Sequence, residues 1–229
     1  MARPLRRDAE ENRRRLLAAA REVFAESGFE ATMDEVAARA GLGVGTAYRR
    51  FANKDELIAA LSEERIGWVT EILDRALAEA DPWRGIVLYL EEWLELHADD
   101  RGLKEIFLTS PRARRLDGEA QGRLRPRLDE LVARGKGVGA LRQGVEATDL
   151  VLIQLMLFAL PASVPAEVGA PWRRFLPTLL EGLRSDHAEP LPGRALSGAE
   201  FDAAMAAAVS SARSRISGLA APEAPGANP

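Results

Sequence analysis

At four predicted helix starts in this chain a short polar residue stands three positions ahead of a glutamate, and that spacing constrains its fold more than any other feature. The pairs are Asp8 with Glu11, Thr32 with Glu35, Asn53 with Glu56, and Ser197 with Glu200. Each has the form of a helix N-terminus, where two side chains satisfy backbone amides that have no partner within the helix. Apolar residues follow at helical spacing. Leu16, Ala20, Val23 and Phe24 form one stripe and Met33, Val36, Ala37 and Ala40 another. Alternation of the strand kind, bounded by turns, is found nowhere. The expected fold class is all-α.

The pattern predicts a first helix from Asp8 to Ser27-Gly28, a second from Thr32, a tight turn at Gly41-Leu42-Gly43, and a short third helix over Val44–Phe51. A fourth runs from Asn53 to about Ala80. Asp81-Pro82 starts a fifth that reaches Ala98, because proline at the first helical position lacks only an amide that has no partner there anyway. A short helix is expected over 102–108, a loop over 112–118, and a helix from Glu119 to Gly135 that kinks or begins at Pro126. Two strongly apolar helices follow, Ala147–Leu160 and Trp172–Leu183. A last helix after Ser197 carries Phe201, Met205, Ala208, Val209, Ala212 and Ile216. The final stretch of Ala, Pro, Gly and Asn has too little apolar surface to order itself.

Composition narrows the function. The chain has 229 residues, enough for a small domain and a medium one, and no cysteine, which excludes disulfides and thiolate chemistry. His97 and His187 are the two histidines, little material for a metal centre, so no metal and no cofactor is expected. No nucleophile elbow, phosphate loop or paired histidine appears, and an enzyme is not expected. No signal peptide is read at the charged N-terminus, and the apolar run Leu150–Leu160, interrupted by Gln154, is shorter than the roughly 20 residues a bilayer needs. A cytoplasmic protein with no membrane partner is expected.

The net charge is -4, which taken alone opposes nucleic-acid binding. Charge is local at a surface, however. Between Arg39 and Lys54 stand Arg39, Arg49, Arg50 and Lys54 with no acidic residue, and the leader adds Arg3, Arg6, Arg7, Arg13, Arg14 and Arg15. The same segment, Thr32 to Leu57, holds two short helices, a glycine turn, an aromatic and a third capped helix. Those are the parts of a helix-turn-helix, whose second helix enters the major groove. Gly45 and Ala47 keep that helix slim. Thr46, Tyr48 and Lys54 can donate to phosphates, and Arg49 and Arg50 can reach a phosphate or a guanine edge.

The segment resembles the TetR family through Ala40, Gly41, Gly45, Thr46, Tyr48, Phe51, Lys54 and Leu57, and upstream through Phe24, Gly28, Thr32, Val36 and Ala37. The resemblance implies phosphate contacts from Thr32, Thr46, Tyr48 and Lys54, and base contacts from Val44, Thr46, Arg49 and Arg50. Gly43 stands where the family has Ser or Thr, so no contact is carried onto it. The resemblance also implies a helical ligand-binding and dimerisation body, with Ala147–Leu160 and Trp172–Leu183 pairing with their mates in a four-helix bundle.

The expected organisation is therefore a three-helix DNA-binding domain at 8–58, a body at 59–186, and an extension at 187–229 without a family role. Trp83, Tyr89, Trp93, His97, Phe107, Met156 and Phe158 are candidate ligand contacts, though an aromatic stripe at this spacing also suits plain core. The expected function is a repressor that binds a palindromic operator as a homodimer and is released by a small-molecule effector. A ligand-independent DNA-binding adaptor or nucleoid-type protein remains the alternative.

Overall fold

The N-terminal elements are α1 (Arg3–Ser27), a 3-10 turn (Gly28–Glu30), α2 (Met33–Arg39) and α3 (Val44–Arg50). The long α4 (Lys54–Ala78) is followed by α5 (Pro82–Ala98), α6 (Pro111–Gly137), α7 (Ala147–Phe158) and α8 (Trp172–Leu183). A short helical stretch occupies 198–204. The computed structural model describes residues 3–98, 111–158, 169–186, 189–204 and 207, and all regular structure among them is helical apart from one isolated bridge, Leu141 with Arg184. Phe107, the helix expected over 102–108, Leu160 and the tail lie outside the described residues.

Most of the helix starts follow the predicted chemistry. Thr32 Oγ1 accepts from the Glu35 amide while Glu35 Oε2 accepts from the Thr32 amide at 2.7 Å. Asn53 Oδ1 caps α4 through the Glu56 amide at 2.9 Å, and Asp81 Oδ1 accepts from the Trp83 amide at the start of α5. Ser197 and Glu200 form the same reciprocal pair.

Two expectations are corrected. Asp8 does not cap α1, which already runs from Arg3; Pro4 falls in its first turn, where a missing amide costs nothing. The stretch 112–118 is helix, not loop, because α6 begins at Pro111 and passes through Pro126. The amide missing at Pro126 would have bonded the carbonyl of Gly122, and both residues are exposed, so water can take that carbonyl.

Two apolar cores result. Leu16, Leu17, Ala20, Val23 and Phe24 of α1 pack with Val36 and Ala37 of α2, Ala47 of α3, and Leu57, Ile58 and Leu61 of α4. Burying a side chain the size of Leu or Phe here stabilises by roughly 1.5–3 kcal/mol. Ala47 is fully buried, so its small size serves the packing of α3 on α1 and α2 rather than an approach to DNA.

The second core starts on the next turns of α4 with Ile66, Val69, Ile72, Leu73 and Ala76, and takes in α5, α6, α7 and α8. At the α4–α5 crossing a Cβ on Gly85 would lie 2.4 Å from the Ala76 carbonyl oxygen, so only glycine allows that approach. Arg134 closes the end of α4 by donating to the Leu77 and Glu79 carbonyls.

Candidate nucleic-acid interface and effector cavity

The turn between α2 and α3 is built from backbone bonds. Gly41 takes φ +63, the Leu42 amide donates to Ala37 O at 2.9 Å, and the Gly41 amide donates to Ala38 O at 3.0 Å. This is a Schellman ending, with Leu42 packed against the small core. Arg15 of α1 locks it, donating to Ala40 O at 2.6 Å. A basic residue that the sequence placed with the leader thus holds the turn.

Gly43 starts α3 with extended backbone and no side-chain cap. Phe51 and Ala47 turn inward, which leaves Val44 42% and Tyr48 46% exposed on the outer face beside Gly45 and Arg49. Val44 and Tyr48 thus offer apolar contact surface on this face. Arg49 lies along its own helix, bonded to Gly45 O and to Thr46 Oγ1 at 3.1 Å each. A duplex would have to exchange those bonds for its own.

The remaining positions differ in how free they are. Thr32 has its hydroxyl and amide engaged by Glu35, and the hydrogen bonds from Thr32 hold the Glu35 carboxyl below its ordinary pKa. Lys54 is half-buried over the Phe24 ring, 5.7 Å from its centroid, and desolvation lowers its pKa. Arg50 lies 3.6 Å from Glu10 of α1. Arg39 is bound to Glu22 at 3.2 Å and Glu26 at 2.6 Å. The acid-free stretch of sequence is therefore not acid-free in space, and Arg39 in particular belongs to the packing of α1 on α2.

In the body, a cavity of about 340 Å³ opens between α4, α5, α6 and α7. Arg65, Ile66 and Val69 supply the α4 wall, Tyr89 and Trp93 that of α5, Leu124 and Leu128 that of α6, and Val151, Gln154 and Leu155 that of α7. Its size and apolar lining with a few polar groups suit a small molecule. The Tyr89 hydroxyl donates to Gln154 Oε1 at 3.2 Å, while Gln154 Nε2 has no hydrogen-bond partner among the described residues although Gln154 is buried. An unpaired buried amide costs about 1–3 kcal/mol, so a ligand acceptor placed there would recover it.

Of the ligand candidates, Tyr89 and Trp93 face this cavity. His97 stacks on Trp93 with centroids 3.9 Å apart and donates from Nδ1 to Trp93 O, and Phe158 packs edge-on to both rings. Those two stand behind the wall. Burial first, and then the charge of Arg65, depress the His97 pKa to about 3. Trp83 is half-buried at the start of α5 under the Arg184 guanidinium, 4.8 Å away. Met156 is 54% exposed on the outer side of α7, because it sits two residues past Gln154, which faces the cavity. Sequence reasoning missed Arg65, Val151 and Gln154. The one usable signal was Gln154 itself, a lone polar residue inside an apolar run.

The fold and the face of α3 define a helix-turn-helix DNA-binding protein with a helical regulatory body. Residues 16–61 match the family model "Bacterial regulatory proteins, tetR family". The fatty acid metabolism regulator protein of Bacillus subtilis (strain 168) is 26% identical over 153 residues, 62% of this chain and 76% of that protein. The HTH-type transcriptional activator FasR of Mycolicibacterium smegmatis is 29% identical over 153 residues, 64% of this chain and 70% of FasR. The structure of the transcriptional regulator FadR from Bacillus subtilis in complex with stearoyl-CoA aligns with a TM-score of 0.62 at 19% identity, covering 76% of this chain and 98% of that one. Residues 16–61 thus form a DNA-binding region of the TetR type. No described helix is long and apolar enough to cross a membrane.

Proposed function

We propose that this DNA-binding regulator acts as a homodimeric repressor on a palindromic operator, and that an apolar small molecule in the body cavity releases it. One observation carries the reading: α4 places Leu57, Ile58 and Leu61 in the head core and, one turn on, Arg65, Ile66 and Val69 in the cavity wall. A molecule entering the cavity touches the helix on which the head is built. In this reading 8–58 is the DNA-binding domain, 59–186 the sensing and dimerising body, and 187–229 an extension, with the head core continuing to Leu61. Val44, Gly45, Thr46, Tyr48 and Arg49 meet the major groove, and Thr32, Arg50 and Lys54 stand at its phosphate rim.

Two exposed apolar side chains support a two-fold assembly through the body. Met156 of α7 and Phe175 of α8 are 54% and 48% exposed, and a second copy would cover both. The two recognition helices would then sit about one helical turn of DNA, roughly 34 Å, apart. The effector must bind the DNA-incompetent arrangement more tightly than the competent one. It would carry an apolar body for Trp93, Leu124 and Leu128 and an acceptor group for Gln154. Stearoyl-CoA, the ligand of the FadR neighbour, has an apolar chain and a thioester carbonyl, so acyl-CoAs of graded length are the first effectors to test. An open cavity supports a sensor over a ligand-independent adaptor, whose body would be filled. The kinship to regulators supports a role without catalysis, in the cytoplasm where the chromosome lies.

Mobility shifts with DNA from the promoter of its own gene test the proposal. A sequence-specific shift that an acyl-CoA reverses is expected. No specific shift at low salt would overturn operator binding, and a shift that no member of the series reverses would overturn this effector class.

A further inference from the structure

The stretch beyond α8 has no place in the expected body, yet it lies against the cavity. Gly198, Ala199, Phe201 and Asp202 border the same space as Arg65, Trp93 and Gln154. We infer that the stretch 189–204 is a wall of the effector site and that Phe201 contacts the ligand. This rests on the cavity being the effector site.

Three features show a built wall rather than a strand of chain lying over a hole. Phe201 is only 3% exposed, so its ring is part of the interior. The approach is anchored from the body: Thr148, itself fully buried, donates from Oγ1 to Leu196 O at 2.8 Å, and the Arg142 guanidinium donates to Glu189 O. The stretch is also shaped locally, since the Ser197–Glu200 box starts a helical turn and Arg194 grips the Glu200 carboxylate at 2.7 and 2.5 Å.

Gly198 is where this wall meets α6. A Cβ there would stand 3.1 Å from Arg125 Nη1, so the bare backbone lets the guanidinium lie across the rim. The occupant must therefore fit beneath an aromatic ring supplied by the extension. Recognition would be set partly outside the four helices that otherwise define the cavity.

The absence of cysteine makes the test clean, because an introduced thiol is the sole one. The probe is 1-anilinonaphthalene-8-sulfonate, an apolar molecule with an anionic head, bound to the full-length protein. Ala199→Cys should be protected from a maleimide several-fold by the bound probe, while Ala133→Cys on the exposed side of α6 should not. Phe201→Ala should weaken the probe about tenfold, as removal of a central aromatic contact does, and leave operator binding without probe unchanged. Val151→Trp, which fills the cavity, should abolish binding.

Loss of binding in Val151→Trp with no protection at position 199 and no effect of Phe201→Ala overturns the wall and leaves the cavity as the effector site. Probe binding that survives Val151→Trp overturns both. If Phe201→Ala does not fold, the protection at position 199 still decides.

Discussion

Gly45 gives the sharpest test of the DNA face, because one methyl group there should move stability and function in opposite directions. The residue is exposed in the first turn of α3, its φ is negative, and a Cβ would meet nothing within 4 Å. Gly45→Ala therefore loses only backbone freedom in the unfolded chain, and should stabilise the protein by about 0.5 kcal/mol. For a chain of this length that is a rise of roughly 1–2 °C in Tm. On DNA the same methyl stands between the α3 backbone and the duplex. A loss of about 1.4 kcal/mol per head is tenfold, and two heads make it about a hundredfold. Calorimetry and fluorescence anisotropy on the operator at one fixed salt concentration read the two effects. Gly41→Ala is the contrast: φ +63 strains any side chain by about 1–2 kcal/mol, and its Cβ would lie 3.0 Å from Arg15 Nη2, so stability and DNA affinity should fall together. Parental operator affinity in Gly45→Ala would refute the close approach of α3 and the contact list built on it.

Other outcomes follow from single groups. Arg39→Ala should leave the salt dependence of operator binding unchanged, since Glu22 and Glu26 already hold the guanidinium; Lys54→Gln should reduce the slope of log K against log salt by about 0.9 per head. Tyr89→Phe strands Gln154 Oε1 in a buried site and should cost about 1–2 kcal/mol in urea denaturation. The double variant Tyr89→Phe with Gln154→Leu removes both partners and should regain most of that stability while weakening the effector.

His97 makes the protein acid-sensitive. Its folded pKa of about 3 lies below the ordinary value, so the unfolded chain binds a proton that the folded one refuses. Stability should fall by about 1.4 kcal/mol per pH unit as pH drops from about 6.5 toward 3, and His97→Phe, which keeps the stacking on Trp93, should flatten that limb.

What could be read from the sequence was local. The caps at Thr32, Asn53, Asp81 and Ser197 are decided within a few residues, as is the Gly41 turn, and these fixed the head nearly element by element. Asp8 misled because its spacing to Glu11 is the same inside a helix as at its start; nothing nearby says that α1 already runs from Arg3. Pro126 misled in the other direction: the helix runs through it, and the Gly122 carbonyl it leaves without an amide lies on an exposed stretch that water can reach. The cavity was the least legible part. Trp93 and His97 are four residues apart on α5, yet one lines the space and the other stacks behind it, a distinction set by where α4, α6 and α7 cross. Arg65 reads as one more charge on a long helix until Tyr89 and Gln154 are seen beside it.

The stretch of α4 between the two cores explains how a cavity could speak to a DNA head. Glu63, Glu64 and Arg65 are consecutive, so their side chains point about 100° apart around the helix. Glu63 meets Arg123 of α6 at 2.9 Å, Glu64 meets Arg21 of α1 at 2.5 Å, and Arg65 borders the cavity. Arg21 also lies over Trp68, 4.6 Å from the ring centroid. One turn of helix thus touches the body, the head and the cavity at once. The ion pairs are partly exposed, and such pairs are worth about 0–1 kcal/mol each. That weakness suits the task. A ligand shifts an equilibrium only by its difference in affinity for the two states, and coupling energies run about 1–3 kcal/mol. A head joined to its body by a large apolar seam could not be moved by so small a difference, whereas one continuous helix and a few weak charge contacts can be.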